Sequence, residues 1–334
     1  MKYMDSDKRR REIKDTFRKD ELAPVVLFTY NRLDHTNKTI EALKQNVLAD
    51  ETELFIYSDA PKNEGAKDSV AVVREYLHSV TGFKKIEIIE REENWGLARN
   101  IIDGVTKIVN EYGKIIVLED DIVTSMFFLQ YMNDALRIYE QEPKVMAISS
   151  YYWAKDTSNL PETFFLDWFC CWGWATWKDI WNRFERNPND LIKNYNLKDD
   201  LHFNMNGTSN IWAQVEQNIT GEIYTWAVFF YFTIYINHGL VLYSNEDLSM
   251  NIGMDNTGEH CGSDELGIYR TCLKRDKVRM FSKEFYSNKY AEINVEKTNI
   301  FLLENARLIN RIKRVIEKDG LYGLIVRVKN RLMG

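Results

Sequence analysis

The chain predicts an α/β fold, a mostly parallel sheet sandwiched between helices, and three observations carry that expectation. Short β-branched and aromatic runs alternate with segments of helix length. One such segment, 97–112, places Ala98, Ile101, Ile102, Val105, Ile108, Val109 and Tyr112 on a single helical face. The last run, Ile115 to Leu118, is apolar without interruption and ends in Glu119, Asp120 and Asp121. An unbroken apolar run of this kind marks a parallel strand buried on both faces.

Taken in order, residues 24–29, 53–57, 85–90 and 115–118 read as strands, and 34–46, 66–80 and 97–112 as the helices between them. Strand and helix alternating in this way implies right-handed crossovers and helices on both sides of the sheet. The carboxyl end of a central strand is where open α/β sheets bind ligands. Three adjacent carboxylates there repel one another and ask for a cation, and a hard divalent ion shared with substrate phosphates meets that need. The plainer reading is an acidic lead-in to a helix starting near Thr124. After the first strand the chain runs Thr29-Tyr30-Asn31-Arg32-Leu33-Asp34 without a glycine, so neither a dinucleotide fingerprint nor a P-loop is present. A bound diphosphate would then rest on a metal and on basic side chains.

These residues together resemble a GT-A nucleotide-sugar glycosyltransferase over about residues 23–270. Pro24 to Arg32 resembles the first strand and base-binding loop of that fold. Ser58-Asp59 falls where the family has an aspartate that contacts the nucleoside. Asn94-Trp95-Gly96-Leu97-Ala98-Arg99-Asn100 is similar to a segment of the family 2 enzymes, and Glu119-Asp120-Asp121 to the E-D-D metal motif of the N-acetylglucosaminyltransferase I family. The resemblance implies that Asp121 ligates Mn²⁺ or Mg²⁺ and that Thr29, Asn31, Arg32, Asp59, Asn94, Gly96, Leu97, Glu119 and Asp120 hold a UDP-sugar. Arg99 would reach a phosphate or Asp120, or serve only as an ion-pair partner near the site.

With 334 residues and 45% hydrophobic content the chain can bury a large core. A net charge of −6 argues against a general nucleic-acid binder. Residues 1–22 read as a mixed-charge extension without a signal peptide or anchor, and no window reaches 18 apolar residues, so a cytoplasmic enzyme is expected. The resemblance makes residues 23–150 the nucleotide-sugar-binding half. Near Ser150 the alternation stops and an aromatic region begins, and the resemblance makes 151–300 the acceptor-binding and catalytic half. Cys170, Cys171, Cys261 and Cys272 lack zinc spacing, and the adjacent pair reads as buried thiols.

Six of the nine tryptophans lie between Trp153 and Trp181. Some pack the core, and Trp172 and Trp174, flanking Gly173, are the candidates for stacking on an acceptor sugar. Asp167 and Asp179 bracket the cluster as hydroxyl acceptors or as solvent-facing acids. Gly221 to Val228 is similar to the helix start that carries the catalytic base in inverting relatives. It departs from the pattern, since no aspartate adjoins Trp226. Glu222 is the nearest acid, as base or as a helix-terminal charge, with Asp167, Asp179 and Asp255 as substitutes. The loop 251–261 has the composition of a closing flap, and the resemblance makes His260 a second metal ligand or phosphate contact, against an ordinary surface histidine.

Residues 301–334 read as two amphipathic helices with eight basic and three acidic residues from Glu304 onward. They suit peripheral contact with the inner face of an anionic membrane, a docking role or a dimer. The expected function is therefore a metal-dependent inverting transfer of a sugar, with N-acetylglucosamine as one candidate. The donor is a UDP-sugar and the acceptor a saccharide or lipid-linked glycan, in bacterial surface-glycan synthesis. A non-catalytic glycan-binding protein and an NDP-sugar nucleotidyltransferase are the competing readings.

Overall fold

A computed structural model of the chain describes residues 22–305, apart from 155, 186–187, 259–263 and 265–266. The first half follows the expected alternation: β1 (Val25–Thr29), α1 (Leu33–Lys44), β2 (Glu53–Ser58), α2 (Lys67–His78), β3 (Lys85–Glu90), α3 (Leu97–Tyr112) and β4 (Lys114–Glu119). Strands β3, β2, β1 and β4 lie side by side and all parallel. Every residue of β1 is buried. Burying one such aliphatic side chain stabilises the fold by about 1.5–3 kcal/mol.

The aromatic half continues the same sheet. After β5 (Ile122–Thr124) and α4 (Phe128–Ile138) come β6 (Val145–Ser149), β7 (Thr163–Leu166), β8 (Trp174–Trp177), α5 (Lys178–Trp181), α6 (Pro188–Asn194), α7 (Ile211–Thr220), α8 (Ala227–Ile236), β9 (Leu240–Ser244) and β10 (Ser249–Asn251). The eight strands run β3-β2-β1-β4-β8-β6-β9-β7. Strand β8 is antiparallel to both β4 and β6, while β6 and β9 are parallel. The composition change near residue 150 thus divides the chain but not the sheet. A final helix, α9, covers residues 289–305. The continuation of this C-terminal segment, residues 306–334, and the N-terminal extension lie outside the described residues. No helix of the described residues is long and apolar enough to cross a membrane.

Helix α3 buries Ala98, Ile101, Val105, Ile108 and Val109, most of the face read from the sequence. It lies so close to the sheet that a Cβ at Gly104 would come within 2.9 Å of the Phe28 ring and 3.1 Å of Tyr57. Helix α8 is apolar all round, and it is buried from Val228 to Ile234. Trp174 faces this helix, stacked on Trp226 with ring centroids 5.1 Å apart and 5.2 Å from Phe230.

Overpacking at the α3 contact gives a direct test. Gly104→Val should lower stability by about 1–3 kcal/mol, read as a lower urea midpoint at an unchanged slope. A midpoint equal to that of the unsubstituted protein would show that the helix stands off the sheet.

Candidate active site

The carboxyl ends of β1, β2 and β4 open into a cleft of about 330 Å³. Its wall contains Thr29, Asn31, Arg32, Asp59, Asn94, Gly96, Leu97, Glu119, Asp120 and Asp121, ten residues singled out in the sequence and gathered here from four separate loops. Phe28 and Tyr57, stacked at 5.4 Å, also line it. The Tyr57 hydroxyl is buried without a partner. Burial pushes this phenol up to about 12, so it stays a donor.

Arg32 spans the mouth of β4. Its Nη2 donates to Asp120 and, at 2.8 Å, to Asp121 Oδ2. Burial opposes the charge of Arg32, but the two aspartates more than offset it and hold the guanidinium protonated. Nη1 is buried and has no acceptor. The same geometry shapes the carboxylates. Burial pushes Asp120 up to about 6, against the lowering pull of Arg32. Glu119 is pushed up to about 8 by burial and by its neighbours Asp121 and Asp120.

Two supports hold Asp121 in place. Its backbone carbonyl accepts from Ile252 N at 2.9 Å, beyond the antiparallel pairing of β5 with β10. Gly253 then passes so close that a Cβ there would fall 2.1 Å from Asp121 Oδ2. Nothing in the sequence distinguished Gly253 from the other glycine of its loop. Only the β5–β10 ribbon gives it meaning.

Asp59 is at the cleft but already saturated. It accepts from Ala60 N, Trp95 N, Gly96 N and Asn94 Nδ2 at 2.8–3.1 Å, close to the full capacity of a carboxylate. Its evident work is to fold the 94–96 loop into the cleft wall. The outer side of that loop is held by Trp95, whose ring carries Arg91 at 3.7 Å and Arg99 at 3.9 Å. Two guanidinium groups so near one centroid must occupy opposite faces. Arg99 is therefore a stacking residue with Glu93 at 3.8 Å, outside the cleft wall, which agrees with the ion-pair alternative and not with the phosphate or Asp120 contact.

The structure separates the remaining candidates. Trp174 is 1% exposed, and its rings meet other aromatics, so it packs the core instead of meeting sugar. Trp172 remains half-buried at the carboxyl edge, 4.7 Å from Tyr151 and 5.5 Å from Tyr269. Glu222 stands exposed in the turn after α7, where its N–H bonds Gln217 O at 2.9 Å and its carboxylate lies 3.5 Å from Gln217 Nε2. It is absent from the cleft wall. His260 lies outside the described residues. Asp255 pairs with His35 at 3.2 Å, at the start of α1.

Asp167 sits at the wrong end of its strand for a cleft residue. Strand β7 is antiparallel to β9, with Thr163 opposite Ser244 and Leu166 opposite Val241. Asp167 therefore leaves the sheet about 13 Å from the carboxyl edge, four strand steps away. There it accepts from His202 Nε2 at 2.7 Å, near the buried Glu292. These three side chains have the chemistry of metal ligands, but His202 serves Asp167 and Lys289 serves Glu292 at 2.8 Å.

The cleft and its acidic strand end lie at the carboxyl edge of a sheet of GT-A architecture. The chain matches Glycosyl transferase family 2 over residues 25–205, more than half its length, and belongs to that family. No curated protein matches it. Among solved structures it is similar to a mannosyltransferase from Pyrobaculum calidifontis in complex with GDP-Man and Mn²⁺, with 13% identity, 52% of each chain covered and a TM-score of 0.33. The chain thus spans about half of that enzyme's length. It is also similar to mouse xyloside xylosyltransferase 1, with 11% identity, 65% of this chain and 82% of that one covered, and a TM-score of 0.35. A third likeness is the 4-diphosphocytidyl-2C-methyl-D-erythritol synthase of Anaerococcus prevotii, with 11% identity, 66% and 87% covered, and a TM-score of 0.35.

The Asp167–His202 pair predicts a pH signature. The bond to Asp167 raises His202 to about 9, above an unfolded value of about 6.5. The pair's stabilisation is then complete below that unfolded value and is lost as pH rises through about 9. The melting-temperature difference between the unsubstituted protein and His202→Gln should be largest near pH 6 and shrink toward pH 10. A difference that stays constant across this range would remove the ion pair.

Proposed function

We propose that the chain is a metal-dependent inverting glycosyltransferase that moves a sugar, with N-acetylglucosamine as one candidate, from a UDP-sugar to a saccharide acceptor in surface-glycan synthesis. The observation that carries this reading is the anchored Arg32, whose buried Nη1 lacks an acceptor inside a cleft ending in three carboxylates. A donor diphosphate supplies such an acceptor. The unpartnered Tyr57 hydroxyl asks for another from the same ligand.

Mn²⁺ or Mg²⁺ fits this oxygen-only set. Asp121 would hold it with Asp120 alongside, the bare backbone at Gly253 leaves room beside Asp121 Oδ2, and the ion would neutralise the leaving diphosphate. Arg32 Nη2 bonds the same oxygens, so it competes with the ion for them while Nη1 is left for the diphosphate. Glu119 and Asp120 offer acceptors to sugar and ribose hydroxyls. Asn94, Gly96 and Leu97, braced from behind by Asp59, close the nucleoside side. No acid among the described residues stands out as the base. Glu222 stands exposed outside the cleft wall, and only its backbone N–H closes the end of α7.

This arrangement predicts opposite effects at two residues, both read by calorimetry. Asp121→Asn should weaken Mn²⁺ binding and Mn²⁺-dependent UDP binding severalfold or more. Arg32→Met should tighten Mn²⁺ binding in the absence of nucleotide and weaken UDP binding. Unchanged affinities in Asp121→Asn, or turnover of a UDP-sugar panel in excess EDTA, would remove the metal from the mechanism.

The base is tested separately. A positioned general base contributes about 10² to 10⁴ in rate, whereas Glu222→Gln is expected to transfer sugar at close to the unsubstituted rate. A collapse of transfer with donor binding intact would restore Glu222 as the base.

A further inference from the structure

On the same edge of the sheet, past Trp172, lies a second concavity. It measures about 280 Å³ and is lined by residues that follow β6 and β9, among them Tyr151, Trp153, Asn245, Glu246 and Asp247, with Thr271 and Cys272 closing it. Its size is at the lower end for ligand pockets, which begin at about 300 Å³, and suits a single sugar ring.

Three features describe its ligand. Trp153 is only half-buried, though it touches Tyr152 and Tyr243 with centroids 6.2 Å away, so part of the indole is open to a flat apolar surface. Asn245 donates through Nδ2 to Leu160 O at 3.4 Å, which orients the amide and leaves its buried Oδ1 without a partner. That oxygen requires a hydroxyl or amide donor. The charges in the lining are Glu246 and Asp247, and no basic side chain is among the described lining residues. Lys274 beside it is engaged by Glu246 at 2.6 Å.

An aromatic surface, an orphan acceptor and an acidic rim suit a polyhydroxylated ring and repel an anionic one. The pocket is joined to the cleft by a short chain of contacts. Tyr151 in its wall meets Trp172 at 4.7 Å, and the Trp172 carbonyl accepts from Ser249 Oγ at 2.6 Å in β10, the strand that leads to Gly253. We infer that this pocket is an acceptor subsite that holds an uncharged or amino sugar residue of the acceptor glycan and excludes uronic acids and phosphorylated sugars. The inference rests on the transferase reading above.

Exposed Cys272 in the pocket wall gives a readout that needs no turnover. Its alkylation by iodoacetamide is followed peptide by peptide by mass spectrometry, in the presence of methyl glycosides of glucose, galactose, N-acetylglucosamine, glucosamine or glucuronic acid. At least one of the first four should slow the reaction severalfold, and the glucuronide should not. Trp153→Ala should lose this protection while its UDP affinity is unchanged. Asn245→Leu, which removes the orphan acceptor at little change in volume, should lose it too and serves if Trp153→Ala fails to fold. Protection by no neutral or amino glycoside, protection by the glucuronide equal to theirs, or full protection in Asn245→Leu would overturn the subsite. UDP release without protection would refute the subsite alone, and protection without UDP binding would refute the transferase reading alone.

Discussion

Like charges at the end of a buried strand are a liability unless something compensates them, and here Arg32 does so from the loop after the adjacent strand. Because β1 and β4 are hydrogen-bonded neighbours with Phe28 opposite Glu119, the residues just past each strand end meet across the cleft. The ion pair is thus a product of the parallel register. A slip of one residue would send Asp120 and Asp121 to other faces. The remaining features of the cleft adjust to this contact: Thr39 Oγ1 donates to the Asp120 carbonyl at 2.9 Å, and Gly253 gives up its side chain beside Asp121.

A charged cluster of this kind is stable only when its desolvation is met by bonds and by partners. Removing one member leaves another buried and unpaired, which is costlier than the pair is worth. The raised values of Asp120 and Glu119 express that strain. In the proposed reading a bound ion supplies the charge that these carboxylates lack. Asp59 is the contrasting case. Its carboxylate is equally buried but meets four donors, and it acts as scaffold for the 94–96 loop.

The first half of the fold was legible because its signals are local. Continuous apolar runs give parallel strands, a 3.6-residue stripe gives α3, and residues just past each strand must lie at one edge. The ten residues that the resemblance to the GT-A family singled out lie together at that edge. The second half was harder, since β8 enters between β4 and β6 in the opposite direction, and pairing between distant segments leaves no local mark. Trp172 and Trp174 are two residues apart with similar surroundings in the sequence. Only the position of α8 decides that one is core and the other stays half-exposed. Asp167 shows the same limit, since its end of β7 depends on strand direction, which composition does not carry.

One sheet shared by both halves has a mechanical consequence. Enzymes whose donor and acceptor parts belong to separate bodies can close by rotating one against the other about a linker. Here β4 and β6 are each bonded to β8, and a hinge between them would break a ladder of buried hydrogen bonds. Any opening or closing would therefore be the work of short segments at the edge. The one tied most directly to the chemistry is the stretch past β10, where Ile252 N holds the Asp121 carbonyl. A movement there would pull on Asp121 through its backbone carbonyl and so would reset the acid at the end of the triplet.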